Sequence, residues 1–207
     1  MKTLTRQQLR TQETQARLLD AAEQVFVRDG YEGAQLDEIA ATAGRSKGAV
    51  YTHFKNKEDL FLALFEHRTK AYVARLAGSV QKCANPKQSL EAFRAFYLGL
   101  IRDKAFSILT LEFKLYAFRH PKSKQRFRRV FEISKATGNS ELYALMFGES
   151  TRGTSTEIHL AQAAVALGPI LSSLILESNF EPEVLSEKGL RQILGRLFDA
   201  LYPPLSE

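Results

Sequence analysis

Apolar residues recur along this 207-residue chain at intervals of three and four, the spacing that lines one face of a helix. Nowhere do they alternate over a strand's length between hairpin dipeptides. The pattern predicts an all-α fold. A first helix is expected from Gln12 to Arg28, burying Leu18, Leu19, Ala22, Val25 and Phe26, with Gly30 able to take the left-handed conformation that ends it. A two-turn helix comes next, from Leu36 to Ala43, apolar through Leu36, Ile39, Ala40 and Ala43, with Asp37 and Glu38 at its positive end and Gly44 as its stop. The third runs from Ser46, whose hydroxyl can cap the amides of Gly48 or Ala49, to Phe54, with Val50 and Phe54 inward. Asn56 can cap a long helix from Lys57 to Lys82, whose stripe is Leu60, Phe61, Leu64, Phe65, Tyr72 and Leu76.

Beyond Asn85-Pro86 the rhythm predicts helices at Lys87 to Arg102 and Ala105 to Arg119, then a break at His120-Pro121, because the residue before proline disfavours helix. Another helix is expected from Lys122, and Gly138, Gly148 and Gly153 punctuate the chain between there and Thr156. Thr156 can cap a helix to Glu177, in which Pro169 should introduce a kink. The last helix, Ser186 to Leu201, is amphipathic through Leu190, Ile193, Leu194, Leu197, Phe198 and Leu201. The longest apolar run, Leu160 to Leu176, is interrupted by Gln162, Gly168, Pro169, Ser172 and Ser173. It falls short of the roughly 20 residues of a membrane span and reads as a buried helix, so no membrane is expected as a partner.

Composition narrows the function. The chain is 44% hydrophobic and 25% charged, an ordinary globular balance, and its net charge of +6 favours a polyanionic partner such as nucleic acid. A single cysteine, Cys83, leaves no intramolecular disulfide and no thiolate cluster for zinc, which suits a reducing cytoplasm. Met1 to Arg17 has no apolar core of a secretory signal, so a cytoplasmic location is expected. His53, His67, His120 and His159 show no paired zinc spacing, and no phosphate loop, nucleophile elbow or Cys-His arrangement is present. No catalytic residue, metal or cofactor is therefore expected.

The informative stretch is Leu36 to Phe54, LDEIAATAGRSKGAVYTHF, two short helices joined by a three-residue turn with glycine. That is the pattern of a helix-turn-helix. The exposed positions of its second helix, Lys47, Gly48, Ala49, Tyr51, Thr52 and His53, combine cations, hydroxyls and two residues small enough for close approach to a groove floor. From Arg45 to Lys57 there are four basic residues and no carboxylate, so phosphate contacts gain counterion-release energy without local repulsion. An enzyme and a helical interaction protein that has lost DNA binding are the competing classes. The first lacks a motif, and the acid-free stretch argues against the second.

With its flanks, this stretch resembles the tetracycline-repressor (TetR) family. The likeness begins with ARLLDAAEQVF at 16–26, continues through DGY at 29–31 and the helix-turn-helix, and ends with KNKEDL at 55–60. Downstream, only length and helical character agree. The resemblance implies a DNA-binding domain at 1–56 and a helical effector-binding and dimerisation domain at 57–207. It implies phosphate contacts for Lys47, Tyr51, His53 and Lys57, and base-edge contacts for Arg45, Gly48, Ala49 and Thr52, with Ser46 as a cap. Where the family often has threonine before the second helix, this chain has Gln35. The implied protein is a homodimeric repressor, released from palindromic double-stranded operator DNA by a small, mostly apolar effector acting through the long helix that starts at Lys57.

Four further features allow two readings each. Phe93, Phe96, Tyr97, Phe106, Phe113 and Tyr116 suit an effector cavity or a packed core. Ala164, Gly168, Leu171, Leu194, Leu197 and Phe198 suit a four-helix dimer interface, as the resemblance implies for the last two long helices, or burial within one subunit. The basic run Lys114, Arg119, Lys122, Lys124, Arg126, Arg128 and Arg129 suits an anionic partner or a solvated face. Arg6 and Arg10 are expected in a polar arm ahead of the first helix, either frayed or reaching a minor groove.

Overall fold

The computed structural model describes residues 5–121, 125–126, 128–129, 144, 147–149 and 155–202. Helix α1 spans Arg6–Gly33. It starts earlier than the apolar rhythm, because Thr5 and Gln8 close a capping box: the Thr5 hydroxyl accepts from the Gln8 amide, and the Gln8 side chain accepts from the Thr5 amide at 2.8 Å. Arg6 and Arg10 are therefore helical, not part of an arm. Gly30, at φ 69°, bends the chain so that the last turn of α1 lays Tyr31 over Phe61.

Helix α2, Leu36–Thr42, ends at Gly44 with φ 62°. The Gly44 amide donates to the Ala41 carbonyl and the Arg45 amide to that of Ala40, at 3.0 and 2.9 Å. This is the two-bond left-handed cap that only glycine makes without strain. A Cβ on Gly44 would meet nothing within 4 Å, so Gly44→Ala should cost about 1–2 kcal/mol through backbone conformation alone. Chemical denaturation measures it; no loss would show that the turn relaxes. Ser46 then caps α3, Lys47–His53, by accepting from the Ala49 amide at 3.3 Å.

Asn56 caps α4, Lys57–Val80, and Asn85 caps α5, Pro86–Gly99. After a 3-10 turn at Leu100–Arg102, Asp103 caps α6, Lys104–Arg119, which stops ahead of Pro121. Helix α7 covers Ser155–Phe180 and continues through Pro169 as one helix, and α8, Glu187–Leu201, is capped by Ser186. The described residues contain no strand. The helix expected from Lys122 lies largely outside the described residues, although Arg126, Arg128 and Arg129 are helical.

Two cores hold these helices. The first joins α1, α2 and α3 to Leu60, Phe61, Leu62, Leu64 and Phe65 of α4 and to Leu109 and Phe113 of α6. The second joins the end of α4 to α5, α7 and α8. The boundary expected after residue 56 is thus not a packing boundary: the N-terminal helices are completed by residues as distant as Phe113. Helix α7 also departs from expectation. By length and composition Ile158–Phe180 could cross a membrane. It is not a fully buried helix either. Leu160, Ala163, Leu167, Leu171 and Ile175 enter the second core, while Ile158, Val165, Leu176 and Phe180 face outward.

Candidate nucleic-acid interface and a cationic groove

The helix-turn-helix is rigid because its inner side is closed. Val50 is fully buried, Phe54 nearly so, and Ile39 and Ala40 of α2 enter the same core. Period therefore forces the outer side of α3 into solvent. Ser46, Lys47, Gly48, Tyr51 and Thr52 are exposed there, with Arg45, Ala49 and His53 half-buried beside them. The Thr52 hydroxyl donates to the Gly48 carbonyl at 2.9 Å, which sets its rotamer, and Tyr51 is 52% exposed. A Cβ on Gly48 would find only Ser46 Oγ, at 3.8 Å. Internal packing thus gives no reason for glycine at this helical position, where it is less favourable than alanine.

Two cations occupy unexpected surroundings. Lys47 Nζ lies 2.8 Å from a carboxylate oxygen of Asp37, across the turn, and this hydrogen bond pushes its pKa up. The acid-free stretch of sequence is therefore not an acid-free surface. Both partners are exposed, and such a pair contributes about 0–1 kcal/mol, so a phosphate can replace the carboxylate. Lys57, assigned a phosphate by resemblance, is instead tied inward. Its ammonium donates to the carbonyls of Glu32 and Ala34 at 3.0 and 3.1 Å and stands 4.8 Å from the centre of the Tyr31 ring. It closes the open C-terminal end of α1.

Helix α6 is wired to this head. A Glu112 carboxylate oxygen accepts from the Tyr31 amide at 3.3 Å, and the Tyr116 hydroxyl donates to Glu58 at 3.0 Å. Arg126, from the basic run, donates to Glu58 at 2.8 Å and also to Asp59, holding the Asp59 carboxyl below its usual range against the opposing effect of burial. For Arg126 the run is neither a free patch nor a plain solvated face. Deeper in, Arg68 of α4 pairs with Asp103 at 2.5 Å and approaches Glu23 of α1 at 3.5 Å, while the Tyr72 hydroxyl donates to Asp103. Burial pushes the Glu23 carboxyl up in spite of Arg68.

The six aromatics expected around an effector do not share one cavity. Phe106, Phe113 and Tyr116 pack with the first core, and Phe93 and Tyr97 enter the second. Phe96 sits between them, edge-on to Tyr72. A groove of about 720 Å³ opens elsewhere, between α4, α5, α6 and α8, and none of the six lines it. Its charged wall comes from separate stretches of chain, so no spacing in the sequence signals it. The residues expected at the dimer interface divide as well. Leu171, Leu194 and Phe198 are core residues of a single chain, Leu197 is half-buried, Gly168 is exposed, and the side chain of Ala164 lies outside the described residues. The outward apolar residues of this region are Ile158, Val165, Leu176, Phe180, Val184 and Ile193. Among the described residues no cluster of His, Cys, Asp or Glu could hold a metal ion.

Residues 18–64 match the model of the bacterial regulatory proteins of the tetR family. Across 92 residues the chain is 33% identical to the fatty acid metabolism regulator protein of Bacillus subtilis, covering 44% of this chain and 43% of that protein. Across 70 residues it is 41% identical to the transcriptional regulator TtgR of Pseudomonas putida, covering 33% of each. The chain thus matches less than half the length of these curated relatives. The fold extends further. The fatty acid degradation regulator FadR of Bacillus halodurans superposes with a TM-score of 0.68 at 20% identity, over 95% of this chain and 96% of that one. FadR of B. subtilis in complex with stearoyl-CoA gives 0.67 at 20%, over 92% and 99%. The N-terminal helices form a helix-turn-helix DNA-binding head joined to a larger helical body. The likeness to the tetR family in sequence is thus carried by residues 18–64, the helix-turn-helix and its flanking helices.

Proposed function

We propose that this protein is a cytoplasmic transcriptional repressor that binds a palindromic operator as a homodimer and is released by a small, mostly apolar effector. The observation that carries the reading is α3: a short helix pinned by Val50 and Phe54, with its whole outer side given to Lys47, Gly48, Tyr51, Thr52 and neighbours. A helix so fixed can enter a major groove without further ordering cost. Arg45, Gly48, Ala49 and Thr52 face base edges in this reading, Lys47, Tyr51 and His53 hold phosphates, and Ser46 caps. Lys57 we reassign to support of α1. The names of relatives suggest the effector class: one is a fatty acid metabolism regulator, and a structural neighbour holds stearoyl-CoA. A long-chain acyl compound is the effector we favour.

Dimerisation is supported by the outward apolar residues of α7 and its surroundings. Phe180 is 81% and Val184 80% exposed, a state that a partner subunit relieves. Two heads must then stand about 34–36 Å apart to meet successive major grooves. Effector-driven movement of α6 would reach them through Glu112, Tyr116 and Phe113, which touch the head directly.

Selection of bound fragments from a random DNA pool tests the reading. Enrichment of a palindrome supports it, and no enrichment at low salt overturns it. Single variants then separate the roles. Lys47→Ala should reduce the salt dependence of binding by about one unit and leave stability within about 0.5 kcal/mol. Lys57→Ala should leave the salt dependence alone and cost about 1 kcal/mol of stability, through the two carbonyls it uncovers. The reverse pattern would return Lys57 to the phosphates.

A further inference from the structure

The groove between α4, α5, α6 and α8 takes no part in the DNA reading. Its wall carries Arg75, Arg102, Lys104 and Arg191, with Asp103 as its one carboxylate. Asp103 is already matched by Arg68. Among the described residues Arg75 and Arg102 meet no carboxylate. Lys104 Nζ donates to the neutral amide oxygen of Asn179, and Arg191 has Glu187 at 3.8 Å in an exposed pair. Four cations gathered around one concavity repel one another, and an anion placed among them removes that cost. Arginine forks and a lysine ammonium are the groups that recognise phosphate. The volume, about 720 Å³, is that of a small-molecule cleft. The Tyr72 ring, with the Arg75 guanidinium 5.6 Å from its centre, adds a flat surface beside the charges.

We infer that this groove binds a phosphorylated organic molecule of nucleotide size, its phosphates among Arg102, Lys104 and Arg191 and its planar part toward Tyr72. As a site for the polar end of an effector, the inference rests on the regulator reading; as a binding site, it stands alone. Occupancy would act beside Asp103, which holds Arg68, which in turn approaches Glu23 of α1. The ligand would thus sit one ion-pair chain away from the DNA-binding head.

Calorimetric titration of the full chain with pyrophosphate and with ADP at low salt tests this. Both should bind saturably, one per chain, with ADP the tighter. Arg102→Ala combined with Arg191→Ala should weaken both by roughly tenfold or more, and Arg102→Glu, a single change at an exposed position, should do the same. Thermal melting without ligand checks that these variants fold. Arg45→Ala combined with Lys47→Ala, in the DNA-binding head, should leave both affinities unchanged. Absence of saturable binding overturns the inference, as does binding lost only in the head variant. A chain that binds ADP here but selects no DNA sequence keeps this site and removes the regulator reading. A chain that selects a palindrome but binds neither probe does the opposite.

Discussion

Truncating Phe113 to alanine should destabilise the protein by about 3–5 kcal/mol, the cost of removing a buried aromatic ring from a core that collapses only in part. Phe113 is fully buried, and its ring is stacked 4.0 Å from that of Phe65 and lies 5.9 Å from that of Phe61. Phe61 continues the contact to Phe26 and Tyr31 of α1, at 4.8 and 5.0 Å. A column of rings thus runs from α6 into the DNA-binding head, and its loss consumes a large part of a typical total stability of about 5–15 kcal/mol. Denaturant midpoints measure the effect. Phe118→Ala, further along α6 but 84% exposed, should stay within about 0.5 kcal/mol. The same packing predicts that a fragment ending at residue 56 stays unfolded, since it lacks Phe61, Phe65 and Phe113. A Phe113→Ala protein as stable as the parent would show that the head stands independently of α6.

What the sequence reveals and what it hides divide along a physical line. Local rules are legible: Ser46, Asn56 and Ser186 cap as their side chains dictate, and Gly44 takes the left-handed turn between α2 and α3. The Thr5 to Gln8 capping box is equally legible, and it explains the early start of α1 that hydrophobic rhythm alone misses. Contacts between distant residues are not local. Periodicity marks Phe93, Phe106 and Phe113 as inward, but not that Phe93 enters one core while Phe113 enters the other. Nor does charge spacing show that Asp37 swings to Lys47, or that Lys57 reaches back to carbonyls 23 and 25 positions earlier. For the same reason the recognition helix can be named residue by residue, while Leu171, Leu194 and Phe198 cannot be told apart from interface residues. Amphipathicity says that a face is buried, and only packing says against what.

Placing glutamate at Gly48 separates fold from function most sharply. The position is exposed, and an added Cβ meets only Ser46 Oγ at 3.8 Å. The first turn of α3 has no acidic residue, so a carboxylate there complements the positive end of the helix. Replacing glycine also removes more conformational freedom from the unfolded chain than from the folded one. Stability should therefore hold or rise by up to about 1 kcal/mol. DNA affinity should move the other way. If the outer side of α3 lies in a groove, the new side chain both fills the space that glycine leaves and sets a negative charge against phosphates, a juxtaposition that costs several kcal/mol. A loss of at least about 100-fold is expected, since roughly 1.4 kcal/mol is tenfold. Thermal melting and a titration of the selected operator measure the two effects on one preparation. Gly48→Ala should shift both in the same directions by smaller amounts. Unchanged DNA affinity in the glutamate variant, with its fold intact, would remove α3 from the interface, because a helix seated in a groove cannot accept a carboxylate on its contact side without loss.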